Sequence, residues 1–456
     1  MTTSDTAPNR SLALGAGAEL ELSFTDLLAN GQAVGRAGGV VIFCFGPLPG
    51  ERARVQIAEV KPRYAVAEMI ELVSRSADRA APFCPVFGAC GGCQLQHLSY
   101  AGQLAWKRDV VYNALLRIGG LDAAVSPAIG MREPRAYRNK MSLVVDRRAT
   151  PPALGFYRQR SHDVVAIDGC PVVTPRLDTL LRALNAARES EPVQDALEEA
   201  RHVVARDAGA TGQVVLTVTT DRPSESVRRA AAALMEEMPA LVGVANSFDL
   251  SGANAVLGRK HREVAGVPYI DEEIGGVTYR VSAGSFFQVN AEMVGRIFEF
   301  LRPNLPSAGD VVDLYCGVGT FALYFARCGR RVVGIEENAR AVAEAAGNAR
   351  RNGLEASVRF MRGRVEQMAA TGELVEILRG ARMAFVDPPR KGCDEAPLAA
   401  IAESRVRDLW YLSCDAATLA RDLKFLVAKG YGLITVQPFD MFPQTGHVET
   451  LVHLEI

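Results

Sequence analysis

The sequence predicts an α/β protein organised around a doubly wound parallel sheet, preceded by a small β-barrel of the oligonucleotide-binding type and an α+β region. Three observations predict it. From about residue 275 apolar strand-like runs alternate with helical ones, as in "DVVDLYCGVGTFALYFA", "RRVVGIEENARAVAEAAGNARRNG", "RMAFVDPPRKG" and "DLWYLSCDAATLARDLKFLVAKG". Near the N-terminus short alternating runs are punctuated by glycine at close intervals, the pattern of a small barrel. With 456 residues, 48% of them apolar and 23% charged, the chain is long enough for several domains, each with a core of its own.

A polar tail is expected over residues 1–15 and the barrel over 16–75, where "GVVIFCFGPLPGERARVQIAEV" alternates between apolar and polar positions. No apolar run is long enough to span a bilayer, and the N-terminus lacks the basic start and apolar core of a signal peptide. The chain therefore reads as cytoplasmic, with no membrane partner and a monomer as the default. Nine cysteines without an export signal do not form a disulfide framework, because cytosolic thiols are kept reduced. The cluster Cys84, Cys90 and Cys93 in "CPVFGACGGCQLQH" thus calls for metal ligation or catalysis.

The central α+β region is expected over 76–274, with a helical segment at about 96–125 assigned to pack on the C-terminal domain. "YAGQLAWKRDVVYNALLRIGG" spaces its apolar residues helically and stops at a glycine pair. Residues 131–163 hold eight Arg or Lys against three Asp or Glu, with Tyr137, Phe156 and Tyr157 interleaved. Cations for phosphates beside aromatic faces for bases make a single-stranded RNA surface; a solvated strand face is the other reading. Residues 176–206 read as helical, and "GQVVLTVTTD", "SESVRRAAAALMEEMP" and "LVGVANSFD" as strand, helix and strand.

The C-terminal domain, 275–456, carries the chemistry. In "VVDLYCGVGTF" a strand ends at Asp313 and Leu314, a loop with Gly317 and Gly319 follows, and a helix opens near Thr320. This Rossmann-like arrangement lets backbone approach a ligand at a helix N-terminus. Glu336 ends the next strand, where a carboxylate can take both ribose hydroxyls of a nucleoside. The G-x-G pattern lacks the third glycine of the dinucleotide fingerprint and suits S-adenosylmethionine, which has no pyrophosphate. Asp387, Pro388 and Pro389 follow another strand, at the ligand-binding edge of such sheets.

Cys414 ends "DLWYLSC" directly before a helix, whose N-terminus favours a thiolate; a lone cysteine there is otherwise a small buried hydrophobe. His447 and Glu449 precede the last strand, and either can serve as a base. One reaction uses the whole set. Carbon 5 of uracil attacks a methyl sulfonium only after a thiolate adds at carbon 6, and a base then removes the carbon-5 proton.

The motifs "FFQVN", "DLYCGVGTF", "DPPRKG", "SCDAATLARD" and "DMFPQTGHVE", in this order, resemble RNA 5-methyluridine methyltransferases, and "GVVIFCFGPLPGERARV" resembles the TRAM domain that many of them carry. The resemblance covers nearly the whole chain. It implies an S-adenosylmethionine-dependent RNA (uracil-5-)-methyltransferase in which Gln288, Tyr315, Glu336 and Asp387 contact the methyl donor, Cys414 is the nucleophile and Glu449 the proton acceptor. It also implies that Arg138, Asn139 and Lys140 of "YRNK" help hold RNA, with 23S ribosomal RNA the preferred substrate and transfer RNA the alternative. One departure stands out: Asp415-Ala416 replaces the family's Asn-Pro after the nucleophile. Asp415 can cap the helix, while its charge is expected to oppose thiolate formation.

The iron-sulfur members of that family have three cysteines in this spacing and a fourth about eighty residues on, a role that falls here to Cys170. Four thiolates hold either tetrahedral zinc or a four-iron cluster, and the spacing alone leaves both open. The resemblance implies a 4Fe-4S cluster, structural because methyl transfer is redox-neutral. Three further classes rank lower. A radical methylthiotransferase uses C-x3-C-x2-C where this chain has C-x5-C-x2-C; an amine-directed methyltransferase leaves Cys414 and Glu449 without a role; and a non-catalytic RNA-binding factor is the residual function if Asp415-Ala416 abolishes catalysis.

Overall fold

A computed structural model of the chain describes residues 14–252 and 255–456, so the expected tail lies, through residue 13, outside the described residues. The chain forms two compact units: one holds the residues through Gly88 with Gly92–Gln103 and Gln444–Gly446, the other Ala89–Gly91, Leu104–Pro443 and His447–Ile456.

In the first unit β1 (Glu19–Leu27), β2 (Gln32–Ala37), β3 (Val40–Phe45), β4 (Arg52–Val60) and β5 (Tyr64–Ser74) close a barrel in the order β1-β2-β3-β5-β4. Along β4, Ala53, Val55 and Ile57 are buried while Arg52, Arg54 and Gln56 are exposed, the period-two pattern of a strand with one face on a core. The expected barrel is present.

The helix α1 (Tyr100–Ala114) runs into a π turn, Leu115–Gly119, and ends at Gly120 in the left-handed conformation. Val111 and Leu115 join the core of the C-terminal sheet. The central part follows with β6 (Lys140–Asp146), β7 (Ala153–Tyr157), β8 (Val164–Ala166), α2 (Pro175–Ala187), α3 (Glu191–Glu199), β9 (Ala200–Asp207), β10 (Val214–Thr220), α4 (Glu225–Glu237), β11 (Leu241–Phe248) and β12 (Lys260–Gly266). Its strands form one sheet in the order β12-β11-β10-β9-β6-β7-β8. Here the sequence reading is corrected. The helix expected over 176–206 divides into two and gives way at Ala200 to a strand, because Val203, Val204 and Ala205 are buried between β6 and β10.

A hairpin of β13 (Tyr269–Ile274) and β14 (Val277–Ser282) and the helix α5 (Ala291–Leu301) lead into the last part. It contains β15 (Asp310–Leu314), α6 (Thr320–Arg327), β16 (Arg331–Glu336), α7 (Ala339–Arg351), β17 (Val358–Arg362), α8 (Val365–Ala370), α9 (Glu373–Arg379), β18 (Ala381–Val386), α10 (Glu395–Ser404), β19 (Asp408–Ser413), α11 (Ala416–Ala428), β20 (Gly432–Phe439) and β21 (Glu449–Glu455). The sheet order is β17-β16-β15-β18-β19-β21-β20. Strands β15 to β19 are parallel, as expected, whereas β21 inserts antiparallel between β19 and β20. The strand order reverses at β15, which opens a crevice at the carboxyl ends of β15, β16 and β18. Among the described residues no helix is long and apolar enough to cross a membrane.

Candidate active site

That crevice is the floor of a cleft of about 1380 Å³, larger than the ~300–1,000 Å³ that holds one small ligand. Gln288, Tyr315, Glu336, Asp387, Cys414 and Glu449 all line it, as do Arg138, Lys140 and His447. Of the nine cysteines only Cys414 does. Asn139 departs from expectation: it is buried, its side-chain nitrogen donates to the Gln288 carbonyl at 3.4 Å and its amide to that of Val289 at 2.9 Å. Asn139 therefore fixes the Gln288 segment rather than facing a ligand.

One wall comes from β15 and β16. Past Leu314 the chain turns through Tyr315, Gly317 and Gly319, all at positive φ, before α6 opens. Gly317 and Gly319 adopt that conformation without the strain a side chain would bring. The Glu336 carboxylate is half-buried and doubly held, accepting from the Gly317 amide at 3.1 Å and the Asn338 amide at 2.7 Å. The Tyr315 hydroxyl donates to Glu366 at 3.2 Å. A fixed carboxylate beside a glycine turn, with no phosphate cradle, fits the ribose of S-adenosylmethionine.

The opposite wall comes from β18, β19 and β21. Cys414 lies between β19 and α11, and the Asp415 side chain caps α11 by accepting from the Ala417 and Thr418 amides at 3.0 and 2.8 Å. Against the pull of the helix N-terminus, the Cys414 thiol is pushed up to about 12, by burial first and then by Glu449 and Asp387. Arg390 acts the other way. The anions that oppose ionisation are thus those two carboxylates, while Asp415 is turned onto the helix.

Glu449 is buried at 6% exposure and its carboxyl is raised to about 8, by desolvation and Asp387, against Arg390. Asp387 faces the cleft yet sits deep among protein atoms, and desolvation raises it to about 7. His447 lines the same wall at the surface, where partial burial and the charges of Arg390, Lys107 and Arg138 disfavour its protonated form. The segment before β21 is fixed from several sides. The Lys107 ammonium, fully buried, pairs with the equally buried Asp440 and donates to the Phe442 carbonyl at 3.0 Å. Asn290 donates to the Met441 carbonyl at 3.1 Å and the Tyr137 hydroxyl to that of Pro443 at 3.0 Å.

Two contributions escaped the sequence reading. Arg390, next to Pro389, is the cation that acts on both Cys414 and Glu449. Leu257, Gly258, Arg259, His261, Arg262 and Glu263, in and just before β12, add a stretch of lining from the central sheet.

Cys84, Cys90, Cys93 and Cys170 are half-buried. Among the described residues no group of three or more His, Cys, Asp or Glu side chains that could hold a metal ion is found. Thiolates are donors that suit iron or zinc. Gly91 is explained locally: a Cβ there would lie 2.9 Å from the Tyr157 carbonyl that its amide bonds.

A Rossmann-like sheet with a reversed last strand, a glycine turn and a ribose-type carboxylate defines an S-adenosylmethionine-dependent methyltransferase. Residues 100–456 match the model of the tRNA (uracil-5-)-methyltransferase family, and residues 16–70 match the TRAM domain. An uncharacterized RNA methyltransferase of Thermosynechococcus vestitus is 37% identical over 96% of this chain and 98% of its own length. One of Gloeobacter violaceus is 38% identical over 96% and 97%. Among solved structures, the Pyrococcus abyssi tRNA (uracil-54, C5)-methyltransferase in complex with S-adenosyl-L-homocysteine shares the fold, with a TM-score of 0.75 and 24% identity over 95% of this chain and all of that one. The chain belongs to the tRNA (uracil-5-)-methyltransferase family and is an RNA methyltransferase with an N-terminal TRAM barrel.

Proposed function

We propose that this protein methylates carbon 5 of one uridine in RNA through a covalent adduct on Cys414. The observation that supports this most is that the one cysteine in the cleft shares it with a buried carboxylate, Glu449, and with the donor-type residues Gln288, Tyr315, Glu336 and Asp387. When bound, S-adenosylmethionine supplies an electrophilic methyl group on sulfur. Cys414 releases its proton to solvent and its sulfur bonds carbon 6, moving the electrons of the 5,6 double bond toward the carbon-4 carbonyl. Carbon 5 then bonds the methyl group as that group's bond to the donor sulfur breaks, the electron pair staying on the sulfur. The Glu449 carboxylate accepts the proton from carbon 5, the double bond re-forms and the sulfur leaves with its electron pair. Arg390 offsets negative charge at both side chains.

The experiment that tests this is denaturing electrophoresis of the Glu449→Gln variant incubated with RNA and donor. A covalent protein–RNA band that requires Cys414 supports the scheme; full turnover by Cys414→Ala overturns it.

The RNA we assign is 23S ribosomal RNA, on the TRAM barrel together with the four-cysteine set; a transfer RNA uridine is the alternative. Mapping 5-methyluridine in both RNAs from cells lacking the protein decides between them. We also assign Cys84, Cys90, Cys93 and Cys170 to a structural 4Fe-4S cluster, on the resemblance of their spacing to that of the family's iron-sulfur members. Iron and sulfide contents near four per chain after anaerobic purification are expected of such a cluster, and zinc alone would refute it.

A further inference from the structure

The helix α11, which begins just after Cys414, turns Leu419, Leu423 and Leu426 into the core and with them a carboxylate, Asp422, at 0% exposure. A buried carboxylate is costly unless it is paired and hydrogen-bonded, and this one is met on both oxygens. One accepts from the Tyr411 hydroxyl at 2.6 Å and the Cys393 amide at 2.9 Å, the other from the Arg421 Nε at 2.8 Å. Arg421 in turn donates its Nη2 to the Lys391 carbonyl at 2.9 Å and the Cys393 carbonyl at 3.0 Å, and the Thr418 hydroxyl donates to the Arg390 carbonyl at 3.3 Å. Gly392 sits between them at positive φ, where a Cβ would lie 2.5 Å from an Asp422 carboxylate oxygen and 2.7 Å from the Arg421 Nη2. Three side chains of one helix thus grip the segment 390–393.

That segment carries Arg390. Its other charged side chain, Lys391, turns to Asp394 at 2.9 Å, with Glu366 and Arg364 acting on it as well. The Cys393 thiol is pushed up to about 12, by burial first, and lies against the Tyr411 and Tyr315 hydroxyls, so it brings no charge. On the cleft side, the charges acting on Cys414 are those of Glu449, Asp387 and Arg390, and those acting on Glu449 are Asp387 and Arg390. His447 faces Arg390, Lys107, Arg138 and Asp415. Arg390 is the cation common to nucleophile and base, so its placement bears on both.

We propose that Asp422 and Arg421 are positioning residues for methyl transfer: from the helix that starts at the nucleophile they hold residues 390–393 in place, and so keep the Arg390 guanidinium at the wall formed by Cys414 and Glu449. This rests on the reading of Cys414 as nucleophile and Glu449 as proton acceptor. The competing account is that the cluster only stabilises the fold, with Asp422 satisfying Tyr411 and a loop amide.

The test uses full-length protein, S-adenosylmethionine and RNA containing the mapped target uridine, with kcat/KM for methyl incorporation followed across the alkaline rise. In wild type the midpoint of that rise is expected at about 8. Arg421→Ala removes two grips on the segment and should move the midpoint upward by about half a pH unit, because less of the Arg390 charge then reaches Glu449. Arg421→Lys, which keeps one cationic donor, should restore part of the shift. Asp422→Asn and Gly392→Ala loosen or push the same segment and should shift the midpoint in the same direction; misfolded protein lowers the amplitude of such a profile and leaves its midpoint. In an Arg390→Gln background Arg421→Ala should add no further shift. Wild-type midpoints in Arg421→Ala and Asp422→Asn, with only a lower melting temperature, would overturn the proposal in favour of a purely structural cluster. An undiminished shift from Arg421→Ala in the Arg390→Gln background would overturn it in favour of a direct electrostatic effect. Failure of the underlying reading shows separately, as full turnover by Cys414→Ala.

Discussion

The two walls of the cleft each present a glutamate, and the protein treats them in opposite ways. Glu336 receives two backbone amides and stays half in solvent, whereas Glu449 is stripped of water and set against another carboxylate. Desolvation and then the Asp387 charge disfavour the ionised form of Glu449. A carboxylate held by amides is a fixed acceptor suited to gripping hydroxyls; one raised to about 8 is a stronger base suited to taking a proton. Residue type alone does not separate binding from catalysis here, because the same side chain does either according to what surrounds it.

The contrast can be broken or sharpened in four ways. Cys414→Ala should have the largest effect, a loss of methyl transfer of at least about 10⁴-fold with RNA affinity retained, read by methyl incorporation and by a binding titration. Glu449→Gln should slow turnover by about 10²–10⁴-fold and accumulate the covalent RNA adduct, since only the proton removal is lost. On the other wall, Glu336→Ala should weaken donor affinity by roughly 10–100-fold and leave kcat at saturating donor nearly intact; a large kcat loss instead would erase the distinction between the walls. The smallest effect concerns pH. Glu449 acts as a base only when ionised, and its carboxyl sits at about 8, so kcat/KM should rise as pH climbs from 7 to 9. Removing the positive charge in Arg390→Gln should move that rise upward by about one pH unit, because Arg390 is what lowers both Cys414 and Glu449.

Much of the fold was legible because burial on one face writes a period into the chain. The barrel strands and the helices of the C-terminal sheet carry that period, and the π turn that continues α1 ends where the glycine pair predicts. β9 was not legible: "ARHVVARD" follows an Ala- and Glu-rich helical stretch, and burial between two neighbours decides its state. The reversed direction of β21 was hidden as well, since strand polarity leaves no local signature. At the site, Cys414, Glu336 and Asp387 were readable because they sit at strand ends on the ligand edge of a parallel sheet. Their protonation was not. The helix N-terminus pointed to a thiolate at Cys414, and the outcome instead depends first on burial and then on Glu449, which comes from another strand. Asn139 shows the same limit, reading as a ligand contact until its partner, the Gln288 carbonyl, is seen.

The ion pair between Lys107 and Asp440 has a consequence for how this sequence can change over evolutionary time. Both side chains are enclosed, and the pair joins a helix at the start of the second unit to the segment that delivers Glu449. A neutral substitution at either position leaves its partner's charge stranded, a cost of about 3–5 kcal/mol, while replacing both by well-packed apolar residues is close to neutral. Neither site can drift alone. Descendants of this chain are therefore expected to keep both residues or to lose both together, and a lineage with only one of them should carry a compensating charge nearby.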